Sequence, residues 1–327
     1  MPALFDPDDS RSIHFVGIGG AGMSALALAA RRRGAVVSGC DHDGAAFPDL
    51  RLAGATVMLG HDPSHIAGAR AVVASAAVAD DHPELVAARA AGIPVIRRKE
   101  ALAALVNGTT LVAIAGTHGK TTTTVMTTEV LRAAGLRPSG LAGGRVSTWG
   151  GNAQLDGAKL FVVEADEYDQ AFLTLQPTIA VINNVEPDHL ECYGSVAALE
   201  AAFAEFAGRA QRAIVGNADS GSDRVARALP QAPWRFGTGS GDFVLSPGTL
   251  DAAGSSAAVR CPDGRSIAIS LLVPGLHNLR NATAALAAAY ALDADVEAGA
   301  AALASFAGVG RRFERLGDAG GVTIVDD

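Results

Sequence analysis

A short run of residues in the middle of the chain has the composition of a phosphate-binding turn. Gly116-Thr117-His118-Gly119-Lys120-Thr121 follows the apolar stretch Leu111–Ala115 and opens the stretch Lys120–Ala134. Backbone N–H groups in such a turn can surround phosphate oxygens, the lysine adds a positive charge, and the threonine hydroxyl can bind Mg²⁺. The residues predicted to contact a nucleoside triphosphate here are Gly116, Thr117, His118, Gly119, Lys120, Thr121 and Thr122.

Two further features of this turn indicate a functional role. Lys120 is one of only three lysines in the chain, and Thr121–Thr124 is a run of β-branched residues, which are poor helix starters. Ile114 stands where the common G-x-x-x-x-G-K-[ST] motif has its first glycine, so the turn departs from that spacing. We therefore predict a shortened phosphate-binding loop with Lys120 in a catalytic role.

Acidic and polar residues follow two apolar stretches downstream of this loop. Leu160–Val163 leads into Glu164–Asp169, and Thr178–Ile182 leads into Asn183–His189. Polar groups at the carboxyl ends of successive parallel strands converge on one crevice, and Mg²⁺ needs several oxygen ligands. Glu164 is therefore the predicted metal carboxylate, with a solvated acidic loop as the alternative. Spacing leaves His189 open between a metal ligand, a general base and a loop histidine.

A second glycine motif lies near the amino terminus. Gly17-Ile18-Gly19-Gly20-Ala21-Gly22 follows the apolar stretch Ile13–Val16, and Asp41 lies 19 residues beyond Gly22. This pattern predicts a diphosphate beside a sugar, although it does not specify a nicotinamide, and a turn that uses glycine for packing alone is the alternative. Ser75 could face the nucleotide or simply end a strand. The residues assigned to this site are Gly17, Gly19, Gly20, Ala21, Gly22, Asp41 and Ser75.

Composition restricts the class of protein. The chain has 327 residues, of which 49% are hydrophobic and 18% charged, so it can bury more than one core. Its net charge of -8 has the wrong sign for nucleic-acid binding, and no apolar run reaches the roughly 20 residues that cross a bilayer. Three scattered cysteines without C-x-x-C spacing disfavour disulfides and a zinc site and fit the cytoplasm. His61, His65 and His82 are predicted to be solvated loop histidines.

The elements that position these motifs alternate between strands and helices. The first hundred residues predict five strands, and unalternated apolar runs separated by helices indicate a parallel sheet covered on both faces. The predicted strands are Ile13–Val16, Ala35–Ser38, Ala55–Leu59, Ala71–Ala74 and Pro94–Ile96. Short apolar stretches separated by Gly, Pro and Ser predict hairpins in the region Trp234–Val273. Helices are predicted at Asn278–Leu292 and Val296–Phe306. We predict domains at 1–106 and 107–315, joined by a linker at Val106–Thr110, with 316–327 entering a further domain.

The motifs, taken in order, resemble those of the Mur ligases of peptidoglycan synthesis. Those that carry the resemblance are Phe15–Ser24 (FVGIGGAGMS), Ala115–Thr124 (AGTHGKTTTT), Glu164–Asp169 (EADEYD), Asn184–His189 (NVEPDH), Gly275–Asn281 (GLHNLRN) and Arg311–Glu314 (RRFE). The resemblance covers nearly the whole chain. It implies a Rossmann-like UDP-binding domain followed by a P-loop-type α/β ATPase domain, and UDP-N-acetylmuramate, L-alanine and ATP with Mg²⁺ as ligands.

The resemblance also implies roles for individual residues. The Gly19–Gly22 turn would hold a UDP diphosphate, Asn152 would lie near the substrate sugar, and Lys120 would contact the terminal phosphates. Thr121, Glu164 and His189 would hold magnesium. The remaining residues that it places near ATP are His277, Asn278, Asn281, Arg312 and one of Asp326 or Asp327. Read without the resemblance, His277-Asn278 could simply cap a helix, and the arginine pair could be solvated.

Three departures from the family pattern are visible. Tyr168 stands in the acidic motif where the alanine-adding member usually has serine, a change shared with the murein-peptide recycling ligase. No lysine follows His189, so the carbamylated lysine of several sister ligases has no counterpart here. The family continues for a further Rossmann-like domain, so we expect this chain to lack that domain and to be inactive alone. A recycling ligase, a dehydrogenase and a non-catalytic UDP-sugar-binding module are the alternatives.

Overall fold

The structure is a computed structural model that describes residues 4–310, 314–319 and 322–326. Contacts divide the chain into two units, the first comprising residues 1–107 and Leu141–Leu155, the second Gly108–Gly140 and Asp156–Asp327. Within the described residues, no helix is both long enough and apolar enough to span a membrane. Each unit carries one of the two glycine motifs.

The first unit contains the five-stranded parallel sheet that the sequence predicts. Its strands are β1 (Ile13–Val16), β2 (Val37–Asp41), β3 (Thr56–Leu59), β4 (Ala71–Ala74) and β5 (Val95–Arg97). Its helices are α1 (Ala21–Arg32), α2 (Phe47–Leu52), α3 (Pro83–Ala90) and α4 (Arg98–Val106). The order β3-β2-β1-β4-β5 is that of a doubly wound sheet, whose order reverses between β1 and β4. Both Gly17 and Asp41 therefore lie at carboxyl ends of central strands.

The sequence misplaced or missed some elements of this unit. Strand β2 continues to Asp41 instead of ending at Ser38, so Asp41 is held by the sheet. Helix α2, which begins with proline in its first turn, was not predicted. The predicted linker at Val106–Thr110 is shorter, because α4 includes Val106 and the next strand begins at Thr110.

The second unit alternates strands and helices around a larger sheet. It begins with β6 (Thr110–Ala115) and α5 (Lys120–Ala133), which lead into β7 (Ser139–Val146) and β8 (Gly151–Leu155). The elements that follow are β9 (Leu160–Glu164), β10 (Ile179–Ile182), α6 (Leu190–Tyr193), α7 (Val196–Gly208), β11 (Arg212–Gly216), α8 (Ser220–Ala228), β12 (Trp234–Thr238), β13 (Phe243–Asp251), β14 (Gly254–Arg260), β15 (Ser266–Leu271), α9 (Leu276–Tyr290) and α10 (Val296–Ala302). The helix predicted at Val296–Phe306 ends early and continues as a 3₁₀ turn, Leu303–Ser305.

Eight strands of the second unit lie in the order β15-β14-β13-β12-β11-β10-β6-β9. The strands from β9 to β13 pair in parallel, and β13, β14 and β15 pair antiparallel. The hairpins predicted for Trp234–Val273 therefore form at β13–β15, whereas β12 and β13 are parallel neighbours. Strands β6, β9 and β10 lie side by side, so the loops at their carboxyl ends adjoin one another.

The segment Leu141–Leu155 contributes most of β7 and all of β8 to the first unit, where β8 packs against α1. Arg32 of α1 donates to the carbonyls of Trp149, at 3.1 Å, and of Gly150, at 2.9 Å. A Cβ at Gly151, whose φ is 134°, would lie 2.7 Å from Leu28 Cδ1, so glycine permits this close approach.

The strand predicted at Val322–Val325 has a partner. It forms β17 (Val322–Asp326), which pairs antiparallel with β16 (Glu314–Ala319). The assignment of residues 316–327 to a linker and the first strand of a further domain stays a prediction, and the pairing shows only that this strand has a neighbour immediately before it in the chain.

Candidate active site

The loop between β6 and α5 has a backbone that requires glycine. Gly116 has a φ of 134°, and Gly119, with a φ of 82°, is the N-cap of α5. A Cβ at Gly119 would lie 2.6 Å from Asn281 Oδ1 and 3.0 Å from Asn183 Nδ2. Helix α5 therefore begins at a turn where a side chain would clash, and a helix amino terminus that follows a glycine turn is the arrangement of an anion site.

Lys120 is fixed by two partners at the start of α5. Its Nζ donates to the Gly116 carbonyl at 2.7 Å and to both carboxylate oxygens of Glu167, at 2.8 and 2.7 Å. The Glu167 side chain is only 2% exposed. Burial raises the pKa of Glu167 above its usual value, although the Lys120 ammonium acts in the opposite direction. A buried carboxylate thus holds the loop lysine by a charge-assisted contact.

Glu167 is a residue that the sequence reasoning missed. It selected Glu164 because that acid ends the strand, and the register of β6 and β9 places Glu164 opposite Ile114. The chain then turns back, so that Glu167, three residues later, reaches Lys120. The density of acids in Glu164–Asp169 was the available signal, but spacing alone could not choose among them.

His189 lies beside two carboxylates. Ligand atoms of Glu167, Asp188 and His189 lie within 4.8 Å of one another. His189 has a φ of 50° and packs edge-on against the Tyr168 ring at 5.2 Å between centroids. The Tyr193 hydroxyl donates to the Glu167 carbonyl at 2.5 Å, which fixes the loop that carries the acid. This cluster is one that a cation can occupy.

Two asparagines after β10 hold the phosphate-binding loop. Asn183 Nδ2 donates to Thr123 Oγ1 at 3.0 Å and to the His118 carbonyl at 3.3 Å. Asn184 Oδ1 accepts the His118 N–H at 2.8 Å. These amides tie the ends of β6 and β10 together, so the loop shape is set by the sheet.

A cavity of about 320 Å³ opens next to this loop. Its lining residues are His118, Gly119, Asn183, Asn184, Glu186, Ala218, Asp219, Phe236, His277, Arg280 and Asn281. His277 and Asn281 were predicted from sequence, whereas Phe236 and Arg280 were not. The Asn278 amide instead donates to the Pro274 carbonyl at 2.7 Å, within the turn that starts α9. An aromatic ring beside amide groups is suited to a nucleobase.

The first glycine motif forms a tight turn onto the end of β2. Asp41 Oδ2 accepts the Gly19 N–H at 2.8 Å, and a Cβ at Gly19 would lie 2.6 Å from the Asp43 carbonyl. Gly20 is the N-cap of α1, so the turn opens onto a helix amino terminus. A Cβ at Gly22 would lie 2.5 Å from the guanidinium of Arg98, a residue that is not part of the glycine motif.

Asn152 and Ser75 border this turn. Asn152 Nδ2 donates to the Ala21 carbonyl at 2.6 Å and to Ser24 Oγ at 3.0 Å. The Ser75 hydroxyl accepts the Ala77 N–H at 3.3 Å, and a Cβ at Gly17 would lie 3.5 Å from Ser75 Cβ. The structure therefore brings these residues together with the glycine turn. Arg312 and Asp327, two of the predicted ATP contacts, lie outside the described residues.

Comparison with known families agrees with this arrangement of two glycine turns. Residues 12–110 match the model of the Mur ligase family, catalytic domain, and residues 114–289 match that of the Mur ligase middle domain. The chain belongs to the Mur ligase family.

Among its relatives are the UDP-N-acetylmuramate–L-alanine ligases of Thermobifida fusca, 42% identical over 320 residues, and of Paenarthrobacter aurescens, 44% identical over 325 residues. The matches cover 96% of this chain and 68% and 70% of those proteins. The fold is similar to the UDP-N-acetylmuramate–alanine ligase of Thermotoga maritima, with a TM-score of 0.85, 30% identity, and coverage of 97% of this chain and 74% of that one. It also resembles a murein peptide ligase of Psychrobacter arcticus, with a TM-score of 0.82, 28% identity and coverage of 97% and 73%.

Proposed function

We propose that this protein is an ATP-dependent ligase that joins L-alanine to UDP-N-acetylmuramate in peptidoglycan synthesis. The observation that carries the proposal is the Lys120 loop. This loop places a lysine, paired with buried Glu167, at a helix amino terminus. The relatives of the chain are named UDP-N-acetylmuramate–L-alanine ligases. The proposed substrates are ATP, UDP-N-acetylmuramate and L-alanine, and the proposed location is the cytoplasm.

The reaction needs activation because a carboxylate is a poor electrophile. In the proposed sequence, a carboxylate oxygen of the muramyl lactyl group attacks the γ-phosphorus of ATP, and ADP leaves. The amine of L-alanine then attacks the carbonyl carbon of the acyl phosphate, phosphate leaves, and the nitrogen loses a proton to give the amide. The protein contributes mainly position and charge. Lys120 is the group that would neutralise charge on the transferred phosphoryl, exchanging its contact with Glu167 for phosphate oxygens.

Magnesium fits the side chains beside this loop. Mg²⁺ prefers oxygen ligands, and the Thr121 hydroxyl and the carboxylates of Glu164, Glu167 and Asp188 supply them, with His189 next to the last two. When bound, the ion would neutralise charge on the phosphates. We propose Glu167 as a further magnesium ligand, in addition to Thr121, Glu164 and His189, which the sequence already indicated.

The two nucleotides would bind at different turns. The ATP base is assigned to the cavity lined by His277 and Asn281, and its phosphates to residues 116–122. The UDP diphosphate is assigned to the turn 17–22, with the Arg98 guanidinium beside it as a further cation. Family membership makes UDP the expected ligand of this turn in place of a nicotinamide nucleotide, which removes the reason to propose a dehydrogenase.

A second candidate is a ligase that takes a whole peptide as acceptor. It is favoured by Tyr168, which packs against His189, and by the likeness to a murein peptide ligase. The deciding experiment extends the chain by the part of its relatives that the match does not cover, and measures ADP release with UDP-N-acetylmuramate and either L-alanine or the L-Ala-γ-D-Glu-meso-diaminopimelate tripeptide. Release that requires L-alanine supports the main proposal, and release only with tripeptide supports the second. No release with either, although UDP-N-acetylmuramate binds, would favour a non-catalytic binding module.

A further inference from the structure

Five of the eight histidines gather in one region of the first unit. They are His14, His42, His61, His65 and His82, and they surround Cys40 and Glu84. The function proposed above uses none of these seven residues. His14, Cys40 and Glu84 are fully buried, and their ligand atoms lie within 4.8 Å of one another.

The sheet register explains why residues so distant in sequence meet. Val16 of β1 is the parallel partner of Cys40 of β2, so side chains two residues earlier on β1 project on the same face as Cys40. His14 is that residue. Helix α3, whose first turn carries Glu84, and the 3₁₀ turn Pro63–Ile66 pack against each other and bring Glu84 and His61 to the same point.

The side-chain donor atoms lie at or slightly below the spacing of ligands around one zinc ion, so an ion would have to spread some of them apart. Cys40 Sγ lies 3.4 Å from His14 Nε2, 3.2 Å from His61 Nδ1, and 3.0 and 3.1 Å from the Glu84 oxygens. Glu84 Oε2 lies 3.3 Å from His14 Nε2. Tetrahedral zinc with ordinary Zn–S and Zn–N bonds holds its donor atoms about 3.3–3.6 Å apart.

In the metal-free protein these groups are joined by hydrogen bonds around the Cys40 sulfur and the Glu84 carboxylate. Cys40 Sγ faces two ring nitrogens and a carboxylate, and each neutral imidazole supplies one donor and one acceptor nitrogen. His14 Nδ1 is already within 3.0 Å of Ser38 Oγ, so its Nε2 is the atom directed at Cys40. Several lone pairs therefore point at one site, and a metal ion could take the place of the protons that these groups now share.

The surroundings resemble the outer shell of a metal site. Ser38 Oγ on His14 Nδ1 orients that ring, as outer-shell groups do for metal-bound histidines. Glu84 Oε1 accepts the Asp62 N–H at 2.9 Å and lies 3.2 Å from His65 Nδ1, which leaves Oε2 for an ion.

We propose that Cys40, His14, His61 and Glu84 bind one Zn²⁺ ion that fastens β1, β2, α3 and the 61–66 turn together. Sulfur and imidazole ligands favour zinc over magnesium. A thiolate and a carboxylate also cancel the charge of a divalent ion, so the occupied site can be buried. His61 is partly exposed, and its ring lies 4.5 Å from that of exposed His42, which gives the ion a path inward.

Binding should release a proton. A cysteine thiol has an ordinary pKa of about 8.5 and is mostly protonated at neutral pH, whereas a metal-bound sulfur is a thiolate. The balanced step is loss of that proton as the sulfur–zinc bond forms, with no change in oxidation state.

The test is titration of the chelator-treated, reduced protein with Co²⁺ alone, followed by Zn²⁺ competition. We expect one equivalent to bind with a thiolate-to-cobalt charge-transfer band in the near ultraviolet, proton release, and displacement by Zn²⁺. Cys40→Ser should lose the band, and Ser38→Ala should weaken binding by roughly 10- to 100-fold. Cys261→Ser, which removes a buried thiol of the second unit, should behave like the parent.

His61→Ala provides a milder test, since this ring is partly exposed and its loss should spare the fold while weakening Co²⁺ binding. The cluster at Glu167, Asp188 and His189 contains no sulfur, so occupation there gives no thiolate band. A parent protein without that band, or a Cys40→Ser variant that keeps it, would show that the cluster is only a buried hydrogen-bond network.

Discussion

Lys120 sits against a carboxylate that the protein has removed from water. The pairing with Glu167 holds the ammonium group at the loop and keeps a buried acid compensated. Phosphate oxygens could replace the carboxylate as partners of Lys120. The same contact can therefore preorganise the loop before nucleotide binds and free an acid for a metal afterwards.

Replacing Lys120 tests whether its ammonium group binds the phosphates. Lys120→Ala should abolish measurable ATP binding by calorimetry, because the loop loses its positive charge and Glu167 is left unpaired. Binding of UDP-N-acetylmuramate should be unchanged. Lys159→Ala, which removes an exposed lysine, is the control and should bind ATP like the parent. Unaltered ATP affinity in Lys120→Ala would remove the basis of the loop assignment.

Glycine 119 offers a test with a close control. Gly119→Ala combines a left-handed φ of 82° with a Cβ only 2.6 Å from Asn281 Oδ1, whereas Gly135 has the same φ and open space around it. Both variants should lose roughly 1 kcal/mol from backbone strain. Only Gly119→Ala should also lose ATP affinity, by tenfold or more. Equal ATP affinities for the two variants would contradict the proposed nucleotide contact.

Helix α5 shows at the element scale how the active-site loop is anchored. It begins with Lys120 followed by four threonines, is buried along much of its length, and packs against α9 and α10. The buried Thr128 hydroxyl donates to the Thr124 carbonyl at 2.8 Å, whereas the buried Thr127 hydroxyl has no hydrogen-bond partner among the described residues. Only the Thr128 hydroxyl should therefore contribute a hydrogen bond to the free energy of unfolding.

Thr127→Val should therefore be neutral or raise the free energy of unfolding, because it removes a buried hydroxyl that makes no hydrogen bond. Thr128→Val should lower it by roughly 0.5–1.5 kcal/mol through loss of a hydrogen bond. The two residues share a helix and nearly equal helix propensity. Urea unfolding of both variants measures the two changes in the free energy of unfolding. A larger decrease for Thr127→Val than for Thr128→Val would contradict this prediction.

The strands of the first sheet and the helices after each glycine turn were predictable, because apolar runs and glycine turns are local signals. The grouping of segment 141–155 with α1 could not be predicted, since it depends on a contact distant in sequence. Glu167 was missed for a related reason: only the turn after β9 decides which acid reaches Lys120. The Cys40 cluster is the clearest case. Spacing disfavoured zinc and predicted solvated histidines at 61, 65 and 82, yet the parallel register gathers partly buried rings around one thiol.

At the scale of the whole molecule, the two glycine turns belong to separate contact units, so the two ligands should be separable. Asn152→Ala should weaken UDP-N-acetylmuramate binding by roughly tenfold, because Asn152 supports the first turn of α1 through Ala21 and Ser24. ATP affinity should not change. By calorimetry, Lys120→Ala should lose only ATP affinity and Asn152→Ala should lose only affinity for UDP-N-acetylmuramate. Loss of both affinities in either variant would contradict the assignment of the two ligands to separate turns.

The chain runs from the first unit into the second, returns to the first unit through Leu141–Leu155, and then enters the second again. This order has a consequence for folding during translation. As the polypeptide leaves the ribosome, the amino-terminal unit lacks the strand that covers α1 until residue 155 has emerged. By then the Lys120 loop and helix α5 have already been made. Maturation of the amino-terminal half must therefore wait for part of its neighbour to be translated.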